Sequence, residues 1–266
     1  MTTRTFLVHG LLAGLLAGVA AFVVAYTVGE PQVDRAIALE SAGATADHHH
    51  EDGATTSGAA ADSHSHSHDD AAISRTTQST LGLATGTLAI GVVLGGLTGL
   101  LSAVGLGRLG RLRPAASTAL VALLGAVSFS VVPFLKYPAT PPAVGSGETI
   151  DSRTALWFGF VAVSVLGVLA AVAVARWAAR RWSVVPGTIA GATAYVVVVA
   201  VAALAFPKVD ELGGFPASVL WDFRISSLLT LLAMWAVIGA ALTVLVDRTW
   251  RRQEAVATRR AFAAAL

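Results

Sequence analysis

Six stretches of this chain run for at least 21 residues without a single Asp, Glu, Lys or Arg: 5–28, 81–106, 115–135, 154–175, 183–206 and 225–246. A bilayer-spanning helix needs about 20 mostly apolar residues, because each residue rises about 1.5 Å and the hydrocarbon core is about 30 Å thick. Each stretch meets that length. Lipid offers the backbone no hydrogen-bonding partner, so a spanning segment is a helix or a closed barrel. The alternation of apolar and polar residues that marks a barrel strand is absent. The expected fold is therefore all-α, a polytopic membrane bundle of about six transmembrane helices. Charged residues make up 13% of the chain, about half the share of a soluble domain, and the mean hydropathy is +0.71.

The first stretch is longer than the 7–15 apolar residues of a signal peptide and has one basic residue, Arg4, ahead of it. It reads as a retained anchor. Charge then sets the orientation, since cytoplasmic loops carry the excess of Lys and Arg. With the N-terminus inside, 12 of the 18 basic residues fall inside, including Arg108, Arg111 and Arg113 in one short loop and Arg176, Arg180 and Arg181 in another. Only Asp247 and Glu254 among the 16 acids do so. Trp177, Trp182 and Trp250 flank the inner Arg clusters, as interfacial aromatics should. Both termini are thus expected in the cytoplasm and three loops outside. The parts are a first span (1–28), an outer loop (29–80), a five-helix bundle (81–247) and a basic cytoplasmic tail (248–266). Small residues recur at a spacing of four: Gly10, Gly14 and Gly18; Gly91, Gly95 and Gly99; Gly187 and Gly191. In lipid such stripes let helix backbones approach closely.

Histidine is distributed unevenly. Six of the seven His lie in the outer loop, as Asp47-His48-His49-His50-Glu-Asp52 and His64-Ser-His66-Ser-His68-Asp69-Asp70. The loop holds nine acids against Arg35 and Arg75, a net charge of −7 with His neutral. Its Gly/Ala/Ser/Thr middle cannot bury a core and is expected to be disordered when free. Neutral imidazole suits Co, Ni, Cu(II) and Zn, and carboxylates draw any cation. Such a tract points to capture of several divalent ions rather than one fixed four-ligand site. A solvated linker with incidental His and a pH-sensing cluster are the alternatives. The chain has no Cys, and its only Met residues are Met1 and Met234, which excludes thiolate zinc sites, iron–sulfur clusters and Met-rich copper(I) handling.

Three further outer segments carry pattern: Gly29-Glu-Pro…Asp34-Arg-Ala-Ile-Ala-Leu-Glu40, Pro133-Phe-Leu-Lys-Tyr-Pro…Pro-Pro-Ala-Val-Gly145 and Phe215-Pro-Ala…Leu-Trp-Asp-Phe-Arg224. Pro133, Pro138, Pro141 and Pro142 stiffen the second and deny it a regular helix. Lys136, Tyr137 and Arg224 read either as interfacial anchors or, with Glu30, Asp34 and Arg35, as a rim of paired charges around an outer vestibule. In this order, between these apolar runs, the three segments resemble the CbtA family, the membrane subunit of a predicted cobalt transporter. The resemblance covers roughly residues 6–246. It implies cobalt import linked to cobalamin biosynthesis, and a small CbtB partner with one span and a His-rich end. Members are often described with five spans, against the six runs counted here.

The intramembrane chemistry is sparse. A divalent ion crossing lipid needs ligands at depth, because an unpaired charge there is very costly. No carboxylate lies inside any run. His9 is the one strong ligand type, near the inner end of the first span. Ser128 and Ser130 precede Pro133 and are the other pore candidates, where a break in the third helix would free backbone carbonyls. Hydroxyls at Tyr26, Ser164, Thr193, Tyr195, Ser226, Ser227 and Thr230 complete the short set. There is no phosphate-binding loop of the G-x-x-x-x-G-K-[ST] type and no catalytic constellation. The pattern is that of a non-enzyme: a subunit of a divalent transition-metal importer, cobalt first, nickel or zinc next. A membrane-anchored accessory protein that hands ions to a separate permease is the alternative. The expected partners are membrane lipid, a CbtB-like subunit and another copy of the chain, and not nucleic acid.

Overall fold

The computed structural model describes residues 1–47, 74–110, 112–142 and 144–265. Helix α1 (Thr3–Val24) passes through a π-helical turn (Ala25–Gly29) into α2 (Glu30–Asp47). Helix α3 (Arg75–Thr77) leads through a second π turn (Gln78–Gly82) into α4 (Leu83–Gly105). Helix α5 (Pro114–Gly125) passes a third (Ala126–Val131) into α6 (Val132–Lys136). A 3-10 turn (Gly147–Thr149) opens α7 (Ile150–Arg181), followed by α8 (Val184–Ala205) and α9 (Ala217–Ala264). These elements join into six continuous rods, each long and apolar enough to cross a membrane. No strand occurs among the described residues. Successive rods reverse direction. The chain ends therefore share one face of the bundle with the turns after α4 and α7. The opposite face, called the loop face below, carries the connections after α2, α6 and α8.

The side chains are sorted by size rather than by polarity. Along α1 the buried residues are Phe6, Gly10, Ala13, Gly14, Ala17, Gly18 and Ala21, while Leu12, Leu15, Leu16, Val19 and Val23 are exposed. Water would drive the leucines inward. Lipid is as apolar as leucine, so small residues take the interface and contact comes from backbone proximity. The predicted glycine stripes meet each other. A Cβ built on Gly91 would lie 2.5 Å from the carbonyl oxygen of Gly14, and one on Gly95 would lie 2.5 Å from the Cα of Gly14. Gly10 faces Gly95 and Gly99, and Gly18 faces Thr87 and Leu88. The pairing runs antiparallel. Helix α9 closes over this seam: Leu242 and Val246 pack with Phe6 and Ala13, and Met234, Trp235 and Ile238 pack with Ala17, Ala21 and Leu94. Gly187 and Gly191 on α8 meet Ala179, Ala175 and Ala171 on α7 in the same manner.

Two of the π turns end two residues before a proline, Pro31 and Pro133. Proline lacks the N–H for the carbonyl four residues back and its ring crowds that carbonyl. A one-residue widening relieves both. The third helix is therefore widened at Pro133 rather than broken there. The second π turn, Gln78–Gly82, has no proline; Ser79 and Thr80 donate their hydroxyls to the carbonyl oxygen of Thr76 and compete for it. Ser130, in the turn before Pro133, accepts the indole N–H of Trp235 at 2.7 Å, which ties α9 to the widened segment. The helices also outrun the apolar stretches. The stretch between the first two runs is not loop throughout, since helix continues to Asp47, and α9 carries the basic tail on as far as Ala264.

Substitution at the seam tests this packing. Gly91→Ala should destabilise the bundle by about 1–3 kcal/mol, because the added methyl meets backbone that cannot yield. Gly86→Ala, on the same helix with open space around it, should be neutral or stabilising by up to about 1 kcal/mol through helix propensity. Unfolding of the detergent-solubilised chain, followed by Trp fluorescence, reads both; equal effects at the two positions would contradict the seam.

Candidate functional site: a charged vestibule at the loop face

A cavity of about 720 Å³ opens among the described residues at the loop face. Its walls come from the end of α1 and start of α2, the α6 exit, the first turns of α7, the α8–α9 connection and α9. Five charged side chains line it: Glu30, Lys136, Arg153, Glu211 and Arg224. Beneath it, Met234, Trp235 and Ile238 belong to the packed core.

Each charge reaches the wall for a local reason. Glu30 is the first residue past the π turn of the continuous first rod. Its side chain is 14% exposed and forms a close ion pair with Arg75. Arg75 also binds Asp34 at 2.9 Å, so the two carboxylates of α2 hold α3 against it. Glu211 accepts from the Thr149 hydroxyl at 3.0 Å and the Ser146 backbone N–H at 3.3 Å, and lies 3.6 Å from Arg153. Arg153 donates to the carbonyl oxygen of Ser146 at 3.1 Å. Gly145, at φ +90°, turns the chain around this pair. A Cβ there would lie 2.7 Å from the Glu211 carboxylate and overlap the Arg153 guanidinium.

Lys136 ends α6 and donates to the carbonyl oxygens of Ala203 (2.7 Å) and Phe206 (3.1 Å). These lie at the end of α8, where unsatisfied carbonyls leave partial negative charge. Tyr137 donates to the carbonyl oxygen of Pro207 at 2.8 Å, and burial pushes its phenol pKa up, so it stays protonated. Phe160 stacks edge-on with both Tyr137 and Phe206. Together these contacts fasten the α7–α8 hairpin to the rest of the bundle. Arg224 differs from the other four. It makes no hydrogen bond or ion pair with any described residue; its Nε, like that of Arg153, is buried without a hydrogen-bond partner.

The α9 wall supplies hydroxyls. Ser226 and Ser227 both donate to the carbonyl oxygen of Phe223, and Thr230 donates to that of Ser226. Their protons are spent within the helix. What they offer the cavity is oxygen lone pairs, which accept hydrogen bonds from a hydrated ion or from a ligand N–H.

The expected rim is gathered in part. Glu30, Lys136, Tyr137 and Arg224 line the cavity; Asp34 and Arg35 do not. Asp34 supports Arg75 behind the wall, and Arg35 lies 3.8 Å from Asp222 at an exposed position. Arg153 and Glu211 were missed. Each lies among other charges outside an apolar run, Arg153 near Asp151 and Glu211 beside Asp210, and nothing in the sequence pairs positions 58 residues apart. Ser128 is buried and donates to its own helix at Leu124, and Ser130 is taken by Trp235. His9 lies in α1 near the opposite end of the membrane, with its Nδ1 buried and unpartnered. These three pore candidates are not brought together. The tract residues His48, His49, His50, His64, His66, His68, Asp69 and Asp70 lie outside the described residues. Among the described residues no three His, Cys, Asp or Glu cluster as a metal site would require.

No curated protein and no solved structure matches the chain. A family model described as "Probable cobalt transporter subunit (CbtA)" matches residues 3–247, which takes in five rods, the apolar part of the sixth and every wall of the vestibule. The chain thus belongs to the CbtA family and is a multi-pass membrane protein of a cobalt-transporter type.

Proposed function

We propose that this chain is the membrane subunit through which cobalt is taken up, with the loop face outside the cell and both termini in the cytoplasm. The family match over residues 3–247 carries the reading. The vestibule supports it: a spanning bundle with a cavity of about 720 Å³ at one face, largely apolar with a few charged and hydroxyl side chains in its wall, has the form of a port for a small solute. In this reading the acidic His tract gathers divalent ions above the vestibule. Affinity for imidazole and carboxylate ligands follows the Irving–Williams order. The tract therefore concentrates nickel and zinc as well as cobalt and does not select among them. The membrane potential supplies about 2.3 kcal/mol per charge per 100 mV, hence about 4.6 kcal/mol for a divalent cation.

One observation favours a second reading. The described helices hold no three-ligand cluster, and the α9 hydroxyls are bonded within their own helix. A chain so poor in ligands at depth also suits an accessory protein that delivers ions to a separate permease. A small CbtB-like subunit or a second copy of the chain would complete the path in either case.

Three measurements bear on these statements. Proteoliposomes holding this chain alone should take up radiolabelled cobalt, faster with the small partner added; uptake only with a separate permease would favour the accessory reading. Replacing all six tract His by Ala should raise the external cobalt concentration at half-maximal uptake several-fold and leave the rate at high metal intact, and an unchanged concentration dependence would remove the capture role. Because the chain has no Cys, single cysteines report topology without background. Ser57→Cys should react with an impermeant maleimide in intact cells, and Ala257→Cys only after permeabilisation.

A further inference from the structure

We propose that the vestibule binds a small polycarboxylate anion, and that Arg224 is its principal anchor. The proposal rests on the port reading above and names the chemistry the port receives. Three cations and two carboxylates line the cavity. Both carboxylates are committed, Glu30 to Arg75 and Glu211 to Arg153, Thr149 and the Ser146 N–H. Each is engaged through its Oε2, and the wall as a whole keeps one positive charge in excess. Lys136 is satisfied only by carbonyls, which take two of its three N–H groups and leave its charge unmatched by any carboxylate. Arg224 has no partner at all among the described residues, and one of its donors is already out of contact with solvent.

A guanidinium whose Nε is shielded from water and lacks an acceptor is under-satisfied at that donor, and a ligand that brings one relieves it. The planar fork of Arg fits a carboxylate with two parallel hydrogen bonds, and Lys136 offers a second positive charge in the same cavity. A ligand with at least two carboxylates answers both. Such anions chelate divalent metals through hydroxyl and carboxylate oxygens. The complex would enter a positively charged cavity that repels the hydrated ion alone.

The test uses the full chain in nanodiscs of zwitterionic lipid, with citrate as probe. Calorimetry should show citrate binding, weakened at least tenfold by Arg224→Gln and unchanged by Arg259→Gln, an exposed residue at the opposite face. Thermal melting confirms that both variants are folded. No citrate binding, or equal binding by wild type and Arg224→Gln, overturns the proposal. Adding anionic phosphatidylglycerol separates sources: a site filled by lipid phosphate would lose citrate binding in those discs and bind none in the cell, which also overturns it. Cobalt uptake at fixed free cobalt with and without citrate distinguishes the two readings. Flux indifferent to citrate leaves the port reading standing without the anion site, and citrate binding without flux leaves the anion site without the port.

Discussion

Lipid gives an apolar side chain no reason to leave it, and the rest of this structure depends on that constraint. In water a bundle is held by burying Leu and Val. Here those residues face outward, and the helices are held where side chains are nearly absent. The α1–α4 seam is the clearest case, since six glycines at matched spacing bring two backbones into contact over about three turns of each helix. Such contact is short-ranged and geometric. It fixes the register of α1 against α4 far more tightly than an apolar stripe would, and α9 then packs onto a surface whose shape is already set.

The vestibule follows from where this close packing stops. The small-residue seams hold α1 to α4 and α7 to α8, and no glycine stripe joins the two pairs. The third rod stands between them and is tied to the α7–α8 pair at the loop face by side chains. Lys136 and Tyr137 reach the end of α8, and Phe160 sits between Tyr137 and Phe206. Links through long side chains leave space between the pairs that backbone contact does not. The two proline-associated π turns lie at this level, at Ala25–Gly29 and Ala126–Val131. Each turns the helix beyond it by adding a residue, so the charged residues that follow, Glu30 and Lys136, arrive at the cavity wall.

Much of the fold was legible in the sequence because its determinants are local. A charge-free run of 21 residues or more is a span whatever surrounds it, and glycines four apart mark a face of their own helix. The rim was legible only where charge and proline patterns sit within one segment, as at Glu30 and at Lys136-Tyr137. It failed for Arg153 and Glu211, whose partnership is made by a turn at Gly145 and a connection 58 residues later. It failed in the other direction for Ser128 and Ser130. A hydroxyl inside an apolar run reads as a pore ligand, but it satisfies itself more cheaply on its own helix or on a neighbouring indole. The sequence holds no sign of which of these a serine will choose.

The charges of the chain are divided between two levels, and the division bears on how a divalent ion would be driven. The connection between the first two spans carries a net charge of −7, while the cavity wall carries one positive charge in excess. Cations are drawn to the first level and resisted at the second. A dicarboxylate complex passes that resistance because the anion cancels the metal's charge. The same cancellation would remove the pull of the membrane potential, which acts on net charge alone. A neutral complex crossing whole would gain nothing from the voltage, and this chain has no nucleotide-binding loop to replace it. The drive is recovered only if the anion stays behind while the metal moves on. An arginine at the mouth, fixed in a helix and lacking any other acceptor among the described residues, is the group that would hold it there.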